Sequence, residues 1–315
     1  MCILLLSTVH PDYHLILLSN RDEFLDRPTA SLDWWTHPPT NTKVLSARDL
    51  LRPEQGTWLG VNEHGKLGVL TNFREEDVQK ISGDRSRGQM VKDYLTSRYG
   101  TVEEFVEAMI EEGSQKGVGG FSLVCGDLRV RSGEEGVGRM AIVSNRIGKS
   151  AANDKAGPDW ILEKGSVETE GLSNSVFLEP WPKVNEGTKY LEEVLRDSQK
   201  AGRSQEELVE SLFEILSRDN LPPEPTIQDL RDSIFVRIFP VPWTVPADTT
   251  ASGCADDETL RKPAETPIRL YGTRQQSVIL VDKQGQITFI ERTLWDEYGN
   301  ALPKDQRDRT FQLAF

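Results

Sequence analysis

A cysteine directly follows the first methionine, and this position offers chemistry that an internal cysteine does not have. Removal of Met1 would leave Cys2 with both a thiol and a free α-amine. An α-amine has a pKa of about 7.7–8.0, so it can accept the proton of the thiol near neutral pH. A nucleophile activated by its own terminal amine is a known arrangement for acyl transfer. Taken alone, however, Cys2 fits better as a small apolar residue at the start of a strand.

Four polar residues, Asn20-Arg21-Asp22-Glu23, directly follow an apolar segment of the chain. Neighbouring residues on a strand point to opposite faces of the sheet. Arg21 and Asp22 can therefore both face Cys2 only if a bulge or a turn intervenes, and otherwise Glu23 takes the place of Asp22. The alternative interpretation is a strand end closed by salt bridges between Arg21 and the acidic residues near it.

The elements that would position these residues begin with two hairpins. The apolar runs Cys2–Val9 and Tyr13–Ser19 flank Pro11-Asp12, a turn signal, and predict the first hairpin. The second hairpin is predicted at Thr57–Val61 and Lys66–Asn72. The cysteine therefore begins one strand, and the polar tetrapeptide follows the strand next to it.

Helical spacing of apolar residues predicts two pairs of helices, one near residues 90–110 and one near residues 190–215. Helix pairs between groups of strands can cover the two outer faces of a sheet sandwich. We expect one domain over residues 1–315, with a disordered insertion at 246–267, where almost no apolar residue occurs. Five further strands are predicted at Phe121–Gly126, Met140–Ser144, Ser233–Phe239, Ser277–Val281 and Gln286–Arg292.

Composition limits the partners that we expect. A net charge of −13 and an isoelectric point near 4.9 argue against nucleic-acid binding, which needs a cationic surface. The three cysteines include no CxxC pair and suit a reducing compartment, so the cytoplasm is the expected location. The apolar runs are too short for a transmembrane segment, and the four histidines form no metal motif.

Several short blocks of the sequence resemble the NRDE family, called transport and Golgi organisation protein two in animals. The resemblance extends over essentially the whole chain and implies a likeness to the cysteine-type N-terminal-nucleophile hydrolases, such as bile-salt hydrolases and penicillin V acylases. It implies an α+β fold, a four-layer αββα sandwich with two antiparallel sheets between helix pairs. The blocks that carry it are the opening Met-Cys-Ile, Ser19–Glu23, Gly56–Gly60, Thr71–Arg74, Gly171–Ser175 and Tyr271–Arg274.

The resemblance implies roles for five residues in catalysis. Cys2 matches the nucleophile, and Asn72 and Asn174 match the asparagines that would hold an oxyanion. Arg21 matches a guanidinium that would lower the pKa of the thiol or hold an acyl carboxylate. Asp22 would accept a hydrogen bond from the terminal amine.

Five more residues are candidates for ligand binding. Arg274 matches a second guanidinium position of the family, and Glu23 and Asn20 belong to the polar tetrapeptide. Trp34 and Trp58 are more typical of a core, although they could also line an apolar ligand site.

Two functions follow from the resemblance. The first is a role in Golgi and secretory organisation, with handling of an acyl, acyl-coenzyme A or haem-like ligand and peripheral association with Golgi, endoplasmic reticulum or mitochondrial membranes. The alternative is an active thiol amidohydrolase or acyl transferase that uses Cys2. No cofactor is implied by either function.

Overall fold

The computed structural model describes residues 2–74, 85–114, 116–130, 136–146, 157–163, 166–242 and 268–315. The insertion predicted at 246–267 lies outside the described residues. Within these ranges the strands are β1 (Ile3–Ser7), β2 (Tyr13–Phe24), β3 (Thr29–His37), β4 (Thr42–Asp49), β5 (Leu59–Asn62), β6 (Lys66–Asn72), β7 (Phe121–Asp127), β8 (Met140–Ser144), β9 (Asp159–Ile161), β10 (Thr169–Leu172), β11 (Phe239–Pro242), β12 (Ile268–Asp282), β13 (Ile287–Thr293) and β14 (Asp308–Leu313). The helices are α1 (Arg87–Leu95), α2 (Val102–Glu111), α3 (Pro182–Ala201), α4 (Gln205–Leu216) and the short α5 (Lys304–Arg307).

The strands form two antiparallel sheets. The first sheet has the order β10-β1-β2-β12-β13-β14, and β11 pairs with β12. The second sheet runs β3-β4-β5-β6-β7-β8-β9, so every strand in it pairs with its neighbour in sequence. Both predicted hairpins are confirmed, and β2 continues through all four polar residues of the tetrapeptide.

Side-chain alternation on β2 shows how the layers are arranged. Leu15 and Leu17 belong to the core between the two sheets. Ile16 and Leu18 point the opposite way and pack against α3 and α4. On the other side of the molecule, α1 and α2 cover the outer face of the second sheet. The α+β fold, a four-layer αββα sandwich with two antiparallel sheets between helix pairs, is therefore confirmed.

Capping groups in the sequence mark the starts of α2 and α4 and the end of α3. Thr101 and Glu104 form a capping box at the start of α2, and Ser204 and Glu207 form another at the start of α4. Helix α3 ends at Gly202, whose φ of 60° lies in the left-handed region that glycine adopts without strain. None of the helices in the described ranges is long and apolar enough to cross a membrane.

The strand predicted at Ser233–Phe239 is wrong over most of its length, because β11 begins only at Phe239. The backbone groups before it bond to other partners. The amide of Phe235 donates to the carbonyl of Arg218, and the amide of Val236 donates to the Thr273 hydroxyl. These bonds replace a strand ladder and join the segment to the end of α4.

Candidate functional site

Cys2 directly precedes β1 and lies within electrostatic range of Arg21 on β2. Ile3 pairs with Asn20 and Leu4 pairs with Ser19. Opposite residues of an antiparallel pair project to the same face. Since Leu4 belongs to the core between the sheets, Ser19 and, two residues further along β2, Arg21 project to the inner face.

The Arg21 guanidinium is buried and held from several directions. Its Nη1 atom donates to Gln275 Oε1 at 3.0 Å and to Thr29 Oγ1 at 3.3 Å. Its central carbon lies 4.0 Å from the ring centroid of Trp58. Its Nη2 atom is 3.8 Å from Glu23 Oε2, as expected for two residues on one face of a strand. This cation is therefore fixed in orientation on the inner face.

Asp22 projects to the opposite face, towards the α3 layer. Thr273 donates its hydroxyl to Asp22 Oδ1 at 2.7 Å, and the Tyr271 hydroxyl donates to the Asp22 carbonyl at 3.1 Å. Lys183, which is fully buried on α3, is close enough for Asp22 to raise its pKa, while burial has the larger effect and lowers it. The bulge in this region lies in β12, between Thr273 and Gln275, so the alternation along β2 is preserved.

The Cys2 thiol has a pKa above its ordinary value. Burial is the main cause, and the Asp22 carboxylate adds to it. A hydrogen bond from the backbone N–H of Asp22 and the charge of Arg21 act in the opposite direction and lower the pKa. Because burial dominates, the thiol is protonated at neutral pH and needs a base in order to react as a nucleophile.

The two candidate asparagines lie together near the backbone of Cys2. The Ser173 hydroxyl donates to the carbonyl of Cys2 at 2.7 Å. The next residue, Asn174, donates its side-chain amide to the backbone carbonyl of Asn72. The backbone carbonyl of Asn174 accepts the backbone amide of Arg74 at 2.9 Å. The ends of β6 and β10 are thereby joined next to β1.

Arg274 lies at the β12 bulge and belongs to the same region. Its Nη1 atom donates to the backbone carbonyl of Arg27 and to Thr29 Oγ1, which also accepts from Arg21. Burial lowers the pKa of Arg274, and the nearby charge of Arg21 lowers it further. Two guanidinium groups thus share one hydroxyl acceptor.

Two candidates lie elsewhere. The Asn20 side-chain amide donates to the carbonyls of Leu216 and Ile234, at 2.8 and 2.9 Å, and so joins β2 to the end of α4. Trp34 lies on β3, the edge strand, with 37% of its surface exposed. By contrast, Trp58 is buried beneath Arg21.

The sequence-based predictions missed a buried carboxyl group on the inner face, that of Glu291. Its Oε1 atom accepts the backbone amide of Leu32 at 2.9 Å. Burial raises its pKa to about 7, although Arg21 and other guanidinium groups act to lower it. Strand alternation contained a signal, because Glu291 has the same parity as Ile287 and Phe289, which face the core between the sheets.

Gln275, Arg87 and Lys183 were also missed. Gln275 is a hydrogen-bond partner of Arg21, Lys183 lies near Asp22 and Cys2, and Arg87 is within electrostatic range of Cys2. Local sequence has no signal for these positions, since each depends on packing between distant segments. Within the described part of the chain, no three His, Cys, Asp or Glu side chains are grouped so that they could hold a metal ion.

The fold and the site define an αββα sandwich protein with a half-buried cysteine directly before its first strand. The family model described as Transport and Golgi organisation 2 matches residues 1–296, and the chain belongs to this family. It is 30% identical to the Transport and Golgi organization protein 2 homolog of Homo sapiens, over 90% of this chain and 88% of the human one. The Bos taurus homolog is 32% identical, over 90% of this chain and 87% of the bovine protein.

Two solved structures are similar in fold. Penicillin V acylase from Agrobacterium tumefaciens gives a TM-score of 0.43 at 13% identity, over 98% of this chain and 90% of that protein. A mutant of the conjugated bile acid hydrolase from Clostridium perfringens gives a TM-score of 0.45 at 10% identity, over 99% of this chain and 96% of the hydrolase.

Proposed function

We propose that this protein acts in Golgi and secretory organisation by binding a ligand with an apolar body and an anionic group at the site around Cys2. Acyl chains, acyl-coenzyme A and haem share this chemistry. Membership of the Transport and Golgi organisation 2 family supports the cellular role. The ligand class is supported by the chemistry of the side chains around the thiol.

The observation that carries the proposal is the position of Arg21. Its guanidinium lies on the inner face of the first sheet within electrostatic range of the Cys2 thiol, and it is buried and oriented by Gln275 and Trp58. A cation held in this way is organised in advance to bind an anion, because little conformational entropy is lost when the ligand arrives. Apolar side chains of the inter-sheet core lie on the same face, so a ligand body that replaced part of their packing would have to be apolar.

Thermal unfolding with palmitate, palmitoyl-coenzyme A, haem and free coenzyme A tests this function. A ligand present at 100 times its Kd stabilises the native state by about 2.7 kcal/mol, which raises Tm by several degrees. We expect at least one of the first three to raise Tm and free coenzyme A to have no effect. Arg21→Gln should abolish the increase, measured from the variant's own Tm, whereas the exposed Arg98→Gln should keep it.

Two results would contradict the proposal. One is that none of the three ligands raises Tm. The other is that Arg21→Gln responds to the ligand as the native protein does. The cellular role is tested separately, by secretion of a reporter from cells that lack the protein. The native chain should restore secretion, and Arg21→Gln should not.

A thiol amidohydrolase or acyl transferase is the second candidate. The hydrogen bonds that bring Ser173, Asn174 and Asn72 to the backbone of Cys2 favour it. In this reaction the sulfur of Cys2 attacks an amide carbonyl while the free α-amine of a processed chain accepts the thiol proton. The C–N bond then breaks as that proton passes to the leaving amine, and water hydrolyses the thioester and restores the thiol.

Mass spectrometry separates the two candidates. Incubation with an activated acyl ester should leave an acyl group on Cys2 if the protein is an acyl-transfer enzyme, and Cys2→Ala should carry none. Ligand-dependent stabilisation without an acyl adduct or amide turnover favours binding alone. Membership of the Transport and Golgi organisation 2 family is the reason that we place binding first.

A further inference from the structure

Arg87 is the first residue of α1, and the start of this helix is packed tightly against the segment that contains Trp58. The amide of Thr57 donates to the carbonyl of Gly88 at 3.2 Å. A Cβ atom added at Gly56 would lie 2.5 Å from the carbonyl carbon of Gly88, so two glycines let the backbones meet. Because Trp58 lies beneath Arg21, this contact brings the start of α1 to the Cys2 site.

The arginines around this contact differ in whether they have an acidic partner. Arg27 is paired with Asp49, at 2.5 Å between Nη2 and Oδ2, and its Nε atom is 3.6 Å from Glu23. Glu23 is also the acidic partner of Arg21. Among the residues that the structure describes, the Arg87 guanidinium has neither a hydrogen bond nor an ion pair. Arg21 and Arg27 thus have carboxylate partners at this contact, whereas Arg87 has none among the described residues.

Arg87 is also partly removed from water. Burial lowers the pKa of Arg87. The charge of Glu23 raises it, and Cys2 is close enough to raise it as well. A desolvated cation without a partner is unfavourable in the free protein, so a bound anion that pairs with it offsets that cost.

We propose that Arg87 binds a carboxylate of the ligand at the Cys2 site. The planar guanidinium suits bidentate pairing with a carboxylate. This inference rests on the proposed function, since it assumes that the Cys2 site receives a ligand.

Iodoacetate and iodoacetamide test the inference without knowledge of the natural ligand. They alkylate a thiol by the same displacement of iodide, but only iodoacetate carries a carboxylate. Peptide mass spectrometry measures alkylation of Cys2 in the full-length protein. We expect Cys2 to prefer iodoacetate over iodoacetamide more strongly than the thiol of a short cysteine peptide does. Loss of one positive charge near the thiol in Arg87→Gln should reduce this preference by roughly fivefold.

Controls separate charge from folding. Arg87→Lys retains the charge and should keep most of the preference, and Arg98→Gln, at an exposed position beyond the other end of α1, should keep all of it. High salt should weaken the preference of the native protein, because the Debye length falls to about 3 Å at 1 M.

The possible outcomes distinguish this inference from the proposed function. If Cys2 reacts with both reagents and the ratio is the same in native protein and in Arg87→Gln, the role of Arg87 is wrong while the Cys2 site remains. If Cys2 reacts with neither reagent although a ligand raises Tm, the thiol is not open to an anion beside Arg87, and this inference is wrong while the proposed function remains.

Discussion

The Arg21 guanidinium lies 4.0 Å above the ring centroid of Trp58. Arg21 belongs to β2 of the first sheet, and Trp58 directly precedes β5 of the second, so the contact crosses the space between the sheets. A cation desolvated over an aromatic face contributes about 2 kcal/mol. The pair therefore orients the cation of the site and also joins the two central layers.

Replacement of Trp58 should weaken the whole domain. We expect Trp58→Leu to lower the free energy of unfolding by about 2–4 kcal/mol, because both the packing of a buried indole and the cation–π contact are lost. Trp58→Phe keeps an aromatic face and should cost less. Urea unfolding of the three proteins measures the difference, and a Leu variant as stable as the native chain would contradict the prediction.

Asn20 should prove structural rather than functional. Its side-chain amide satisfies the carbonyls of Leu216 and Ile234, so Asn20→Ala leaves two buried acceptors without a donor and should cost about 2–3 kcal/mol. Asn20→Asp should be worse, because a carboxylate would face both carbonyls. The rate of iodoacetamide reaction at Cys2 in folded protein should stay unchanged for Asn20→Ala. A stable variant with altered Cys2 reactivity would reverse this assignment.

Glu291 should make stability depend on pH. Burial raises its pKa from 4.5 to about 7, so the unfolded chain loses this proton at lower pH than the folded chain does. The folded state is consequently destabilised as the pH rises from about 4.5 to 7, and the penalty is constant above that range. We expect Glu291→Gln to gain stability relative to the native protein, by about 2 kcal/mol more at pH 8 than at pH 5.

Urea unfolding at the two pH values gives this difference. The matched control is Glu214→Gln on the exposed side of α4, for which the difference from native protein should be the same at both pH values. If the difference between Glu291→Gln and native protein is also the same at both pH values, the buried carboxyl does not take up a proton on folding.

The rate at which Cys2 is alkylated should increase only at high pH. Burial raises the pKa of the thiol above its ordinary value of 9.0, and alkylation follows the thiolate fraction. We expect the midpoint of the iodoacetamide rate at Cys2 to lie above that value. Arg21→Gln should move it higher still, because the guanidinium favours the thiolate. A midpoint below that of a free cysteine peptide would contradict both expectations.

Ser173 should hold Cys2 in place beside the first strand. Its hydroxyl donates to the carbonyl of Cys2 at 2.7 Å, so Ser173→Ala should cost about 1 kcal/mol and increase the rate of iodoacetamide reaction at Cys2. Ser175→Ala is a matched control, because the buried Ser175 hydroxyl has no hydrogen-bond partner in the described part of the chain. If the two substitutions change stability and the rate of iodoacetamide reaction equally, Ser173 is not part of the site.

Some elements could not be predicted from local pattern. The segments of β3 and β4 contain many polar residues, and β3 is an edge strand whose alternation is interrupted by an irregularity between Ala30 and Asp33. Their strand structure depends on pairing with each other and with β5, which supplies the hydrogen bonds that isolated polar segments lack.

The sequence by itself determined that Cys2 directly precedes the first strand of a hairpin and that the polar tetrapeptide follows the apolar run of the second strand. The apolar runs around Pro11-Asp12 predict the hairpin, and the two-residue period of a strand puts the neighbours Arg21 and Asp22 on opposite faces. Only the tertiary structure decided the register of the two strands and the surroundings of Cys2 and Arg21. Gln275, Glu291 and Arg87 come from strands and a helix far away in the chain, and their positions follow from sheet pairing and from the close contact of α1 with the Trp58 segment.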